Sequence, residues 1–276
     1  MRKLRIGYSP CPNDTFIFAH LKRVAPHMGF EPVMADVETL NEWAMEGRLE
    51  VTKISMYGLG MVRDSYGLLY SGSALGRGCG PIVVSRPGMD PARLAHARVA
   101  SPGRWTTAAL LLGLYLGHPP KFLHMEFSRV MPSVARGEAD FGLVIHEGRF
   151  TYQGMGLEMV LDLGHWWEKK TGKPIALGGM AVKRELGEEV AMEVDRAIKA
   201  SLERSRLGEP GTMEHVLAHA QEMSPDVVRK HIELYVTDFT MELGSEGVGA
   251  VESLLAMARQ AGLIPESSNP LLAYPG

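Results

Sequence analysis

The sequence predicts an α/β protein of two lobes with a ligand cleft between them. Three observations carry that expectation. Short apolar stretches alternate with helical ones up to Ser85. The alternation restarts after the breaker cluster Arg86-Pro87-Gly88-Met89-Asp90-Pro91, and the chain is mainly helical from Glu185 onward. A tail without strands cannot form an α/β lobe alone, so it is expected to pack back on the first unit. The expected division is a larger discontinuous lobe, residues 1–92 and 178–276, with residues 93–177 inserted as a smaller one. Open parallel sheets bind ligands outside the C-terminal ends of their strands, which places the cleft between the lobes.

Leu4–Tyr8 reads as the first strand. A turn follows, in which Asn13, Asp14 and Thr15 are capping types for a helix beginning near Phe16. Residues 31–37 are a second strand. Thr39 is placed to cap a helix that Gly47 ends, with Glu42 completing a capping box. Val51–Ser55 and residues 81–85 are further strands, with a partly helical stretch at 61–70 between them. In the second unit, residues 98–100, 122–127, 141–145 and 157–163 read as strands, and 106–116 and 129–136 as helices. Residues 175–182 form an apolar run containing glycine. Tail helices are expected at Glu188–Arg206, 213–221, Pro225–Tyr235 and 245–262.

The 276 residues are enough to remove roughly three quarters of the unfolded surface from water. A hydrophobic fraction of 45% and a charged fraction of 22% belong to a soluble globular protein. The net charge is −3 and no basic cluster occurs, which argues against nucleic acid as a partner. Cys11 and Cys79 make neither a Cys-x-x-Cys pair nor a zinc spacing, and read as reduced thiols. The basic start runs directly into strand residues, without the apolar stretch of a secretory signal. No segment approaches the roughly 20 apolar residues of a membrane span. The expected location is the cytoplasm, with no membrane partner.

Several motifs invite chemistry. The run Gly72-Ser73-Ala74-Leu75-Gly76-Arg77-Gly78-Cys79-Gly80 is rich in glycine, but it precedes a strand where a dinucleotide loop would follow one. It reads as a close approach to a ligand or as a hinge. His215 and His219 have the spacing of paired zinc ligands but no third ligand nearby, so a solvated helix face is the better account. Thr106 and Thr107 stand where a helix begins, a place suited to a carboxylate or polyol and equally to plain capping. Lys53, Ile54 and Ser55 end a strand, where cleft-lining groups sit. His146 follows the buried strand at 141–145, and its ordinary pKa near 6.5 suits a general base, with a hydrogen-bonded structural histidine as the alternative.

Taken together, these segments resemble the 1,4-dihydroxy-6-naphthoate synthases of the futalosine route to menaquinone. Ser9-Pro10-Cys11-Pro12-Asn13-Asp14-Thr15-Phe16 is similar to that family's opening signature. Asp36-Val37-Glu38-Thr39-Leu40-Asn41, Thr52-Lys53-Ile54-Ser55, the glycine run, Pro102-Gly103-Arg104 with Thr106-Thr107-Ala108, Ile145-His146-Glu147, and Trp166-Trp167-Glu168 follow in collinear order. Trp105, where histidine is common, and Gly148, where serine is expected, are tolerated departures. The resemblance implies a type II periplasmic-binding-protein-like fold used as a cytoplasmic enzyme. It implies a carbon–carbon lyase that converts cyclic dehypoxanthine futalosine to 1,4-dihydroxy-6-naphthoate, with a small-molecule substrate, no metal and no organic cofactor. It puts the proton acceptor at His146 and substrate contacts at Lys53, Ile54, Ser55, Thr106, Thr107 and Ala108.

Three rivals share the fold: a solute-binding protein feeding a transporter, a sister chorismate dehydratase, and a ligand sensor without chemistry. Fold alone does not separate them. Oligomeric state is open between monomer and homodimer, and Trp166-Trp167 suits either a core or a subunit contact. The tail, with Tyr235, Phe239 and Leu243, is placed either to close the cleft or to meet a second subunit.

Overall fold

After the first strand, β1 (Leu4–Tyr8), Pro12 sets where the first helix begins. Proline loses nothing at a first helical position, because the N–H it lacks has no partner there. So α1 (Pro12–Phe18) starts with Cys11 as its cap, earlier than the expected Phe16, and Asn13, Asp14 and Thr15 lie buried inside it. The computed structural model describes residues 3–220 and 224–275. Helix α2 (Leu21–Val24) and strand β2 (Phe30–Met34) come next. Asp36, rather than Thr39, caps α3 (Val37–Met45) by accepting from the N–H groups of Glu38 and Thr39. Gly47, at φ 64°, lies just beyond its end. Then come β3 (Val51–Ser55), α4 (Met56–Val62), β4 (Tyr66–Leu68) and β5 (Ala74–Gly76). The stretch at 61–70 is therefore a helix end, a turn and a strand.

The second unit contains β6 (Ile82–Ser85), β7 (Arg98–Ser101), α5 (Thr107–Leu116), β8 (Lys121–His124), α6 (Phe127–Ala135) and β9 (Phe141–Val144). Helix α7 (Gly148–Thr151), β10 (Glu158–Asp162) and α8 (Leu163–Thr171) complete it. The chain returns through β11 (Ile175–Lys183) into α9 (Glu188–Arg206), α10 (Thr212–His219), α11 (Pro225–Tyr235), α12 (Asp238–Met241) and α13 (Gly244–Gln260). The expected end of α10, Gln221, lies outside the described residues.

Two sheets result. The first runs β2-β1-β3-β11-β4, with β5 also pairing β11; the second runs β10-β6-β9-β7-β8. β1, β2 and β3 are parallel, as are β7, β8 and β9. The strands that carry the chain between sheets are antiparallel to their neighbours: β6 to β9 and β10, and β11 to β3, β4 and β5. This corrects the grouping of Ile82–Ser85, which the sequence pattern puts with the first unit. Its all-apolar face pattern says that it is buried, not in which sheet. The crossings fall at 77–81 and 172–174 instead.

The tail does pack back on the first unit: α9, α10 and α11 all lie against α1. One core runs through both lobes, with Ile54, Val83, Phe141, Trp167 and Leu254 fully buried. Each such side chain contributes roughly 1.5–3 kcal/mol. Trp167 belongs to this core and donates its ring N–H to the carbonyl of Pro174 at 3.0 Å. At the crossing, Gly164 lets α8 approach the chain. A Cβ there would stand 1.8 Å from the carbonyl oxygen of Cys79, so no other residue fits without movement.

Candidate active site

All seven residues expected at the site line one cavity of about 680 Å³, its mouth included. Lys53, Ile54 and Ser55 come from the end of β3, Thr106, Thr107 and Ala108 from the start of α5, and His146 from the turn after β9.

The β3 wall is held by buried polar bonds. Lys53 Nζ pairs with Asp14 Oδ1 at 2.7 Å and donates to the Gly72 carbonyl at 3.0 Å. Asp14 Oδ2 accepts from the Ser9 N–H and hydroxyl at 3.1 and 2.8 Å. The Asn41 side chain accepts from the Ser55 N–H at 2.9 Å and donates to its hydroxyl at 3.1 Å. The glycine run contributes Ala74 and Gly80 to the cavity, in keeping with a close approach of backbone to ligand.

At the start of α5, Thr106 caps the helix by accepting from the Ala109 N–H at 3.3 Å. The first N–H groups of a helix have no partner inside it, so those of Thr107 and Ala108 suit a polar or anionic group in the cavity. The Thr107 hydroxyl is used between elements: it accepts from the Met56 N–H at 2.8 Å and donates to the Leu177 carbonyl at 2.5 Å. A second cross-lobe tie is Glu38, whose carboxylate accepts from the N–H groups of Arg104 at 2.5 Å and Trp105 at 2.9 Å. The lobes are closed on each other at these contacts.

Among the described residues, His146 is the one non-glycine with positive φ, at 56°. Such backbone is costly for an L-residue and is found where surrounding structure imposes it, commonly at functional sites. Its Nδ1 lies 3.4 Å from Cys11 Sγ, and its ring is tilted against Phe127 at 5.3 Å. Burial pushes its pKa below the usual 6.5, opposed by the carboxylates of Glu147 and Asp14. It is therefore neutral near pH 7 and able to accept a proton.

Sequence reasoning passed over His231, which lines the cavity together with Tyr235. Both lie on α11, whose buried stripe is Val228, His231 and Tyr235. A histidine and a tyrosine on the apolar stripe of a tail helix were the available signal. Tyr235 brings the tail to the wall of the cleft. The rings of His215 and His219 are tilted against each other at 4.5 Å on α10, away from the cavity, and no group of three potential metal-ligating residues occurs among the described residues.

A two-lobed α/β fold with a cavity lined from both lobes defines the class of protein as one built on the solute-binding-protein scaffold. The family model described as menaquinone biosynthesis matches residues 4–260, and the chain belongs to that family. It is 47% identical over 274 residues to a protein of Thermus thermophilus named 1,4-dihydroxy-6-naphthoate synthase, covering 98% of this chain and 99% of the relative. A relative of the same name from Streptomyces coelicolor is 41% identical, covering 99% and 98%. Among solved structures, a protein of Archaeoglobus fulgidus matches with a TM-score of 0.87 at 33% identity, over 95% of this chain and 98% of that one. The alkanesulfonate-binding protein of Xanthomonas axonopodis pv. citri matches with a TM-score of 0.69 at 15% identity, over 96% and 94%, which shows a shared fold. No described helix is long and apolar enough to cross a membrane.

Proposed function

We propose that this chain is a carbon–carbon lyase converting cyclic dehypoxanthine futalosine to 1,4-dihydroxy-6-naphthoate, with His146 as proton acceptor. The observation that carries the role of His146 is its placement: a half-buried, neutral imidazole held in left-handed backbone on the cavity wall. The names of the two curated relatives agree with the synthase reading rather than with the dehydratase or the transporter component. In this reading the enzyme works in the cytoplasm on a small-molecule substrate, and the lobes close over it about the crossings at 77–81 and 172–174.

Lys53, Ile54 and Ser55 form the first-lobe wall for the substrate. Thr106, Thr107 and Ala108 offer the helix N-terminus to its polar groups. His146 removes a proton from a hydroxyl or an adjacent carbon of the ribose-derived part. Ring opening and carbon–carbon cleavage then release the small fragment, and aromatisation of the naphthoate drives the reaction forward. Closure excludes water and assembles the site from both lobes.

The test is incubation of wild type and His146→Ala with cyclic dehypoxanthine futalosine, with product followed by chromatography and mass. A positioned base supplies about 10²–10⁴-fold, so His146→Ala is expected to bind substrate and lose that much turnover. Near-normal turnover in the folded variant would remove His146 from the role. Absence of product from folded wild type, with turnover of chorismate instead, would transfer the chain to the sister reaction.

A further inference from the structure

Two buried polar atoms, one on the cavity wall and one just behind it, face each other. Nδ1 of His231 and Oε2 of Glu147 are 3.8 Å apart, and neither makes a hydrogen bond among the described residues. His231 is 1% exposed.

The state of His231 follows from its other side. Asp14, paired with Lys53, accepts from Asn13 Nδ2 at 2.9 Å. That turns Asn13 Oδ1 toward His231 Nε2, at 2.9 Å. An amide oxygen only accepts, so Nε2 carries the hydrogen. Nδ1 is then the free nitrogen, and it faces a carboxylate oxygen away from water. Two bare acceptors in such a place are costly, and one proton between them, with the atoms drawn in from 3.8 Å to hydrogen-bond distance, removes the cost.

We propose that His231 and Glu147 hold one exchangeable proton beside His146 and return it to the departing fragment. This rests on the reading of His146 as proton acceptor. The rings of His231 and His146 are parallel within 11°, their centroids are 6.1 Å apart, and both line the cavity. A lyase uses neither water nor a redox partner, so a proton taken from the substrate must be given back. His146 receives the proton of the substrate O–H or C–H bond, and the bonding pair stays on the substrate. The proton of the pair goes to the fragment atom that keeps the electrons of the broken carbon–carbon bond. His146 then reloads the pair.

The other titratable groups around the pair are Tyr235, ring to ring with His231 at 4.7 Å, Cys11 beside His146, and the Lys53–Asp14 ion pair. Arg149 is turned away to the Gly80 carbonyl and Asp162. Burial, then the neighbouring His146, push the pKa of His231 well down, which disfavours an isolated imidazolium there.

The experiment measures kcat and KM for product formation across a pH series in wild type, His231→Gln, Glu147→Gln, the double variant and His146→Ala. Glutamine at 231 keeps a donor for Asn13 but holds no exchangeable proton, and glutamine at 147 keeps the shape. Each single variant is expected to lose about 10²-fold in kcat, with KM within a few-fold. The double variant should lose no more than the worse single, because the proton needs both groups. The alkaline limb of the wild-type kcat profile, where the pair empties, should vanish in all three. Wild-type kcat with both limbs in folded His231→Gln or Glu147→Gln overturns the proposal. So do additive losses with the limbs unmoved. If His146→Ala is inactive in that case, the base reading survives alone; if His146→Ala is active, both fall.

Discussion

On the first-lobe wall of the cavity the side chains of β3 are paired: Lys53 with Asp14 and Gly72, Ser55 with Asn41. The second-lobe wall carries His146 in left-handed backbone, with the unpaired oxygen of Glu147 beside it. His231 reaches across from the first lobe to meet that oxygen. One wall is finished as a folded core is finished, and the other keeps strain and an open proton site. Strain of this sort is tolerated where function needs it and the scaffold can offset it. Stability and turnover should therefore separate under mutation, wall by wall.

The largest effect tests that separation. Lys53→Met leaves the Asp14 carboxylate buried without its cation and should cost about 3–5 kcal/mol in urea unfolding. His146→Gly should abolish most turnover yet leave stability unchanged or raise it by about 1 kcal/mol, since glycine accepts positive φ freely. If His146→Gly unfolds as readily as Lys53→Met, the two walls do not differ in the way their bonding indicates.

A smaller effect is expected where the walls meet. Thr107→Val keeps the side chain's shape but leaves the Met56 N–H and the Leu177 carbonyl without their partner. Each stranded buried group should cost about 1–3 kcal/mol. Because the three residues join α4, α5 and β11, KM should rise more than kcat falls. A variant with normal KM and normal melting would show that the hydroxyl does not tie the lobes.

The same contrast explains what was legible in the sequence. Pieces built from local signals read well: Glu188–Arg206 and Pro225–Tyr235 have the bounds that periodicity and a helix-starting proline indicate. Lys53, Ser55, Thr107 and His146 stand at strand and helix ends, where α/β sheets line clefts, and the resemblance named the same positions. What escaped is long-range. The pattern of Ile82–Ser85 says "buried strand" but cannot say which sheet, because partner choice is set by β9 and β10 far along the chain. His231 pairs with Asn13 across more than two hundred residues, and no spacing rule connects them. The cap of α3 is Asp36 rather than Thr39 because both are capping types and Asp36 is the one that comes directly after the preceding strand.

The smallest expected effect concerns pH. Burial lowers the pKa of His146, while Glu147 and Asp14 raise it against that trend. Only neutral imidazole accepts a proton, so wild-type kcat should be at its plateau at neutral pH. It should fall as pH drops through a value below the usual 6.5. Glu147→Gln removes one of the charges that favour the cation. Its acid limb should therefore lie at lower pH than that of wild type, whatever its overall rate. A limb that stays in place would mean that the Glu147 carboxylate is not charged toward His146 in the working enzyme, and that Asp14 alone supplies the opposition to burial. A limb that moves to higher pH would mean that the glutamine has let water reach the imidazole, and that dryness more than charge keeps this histidine neutral.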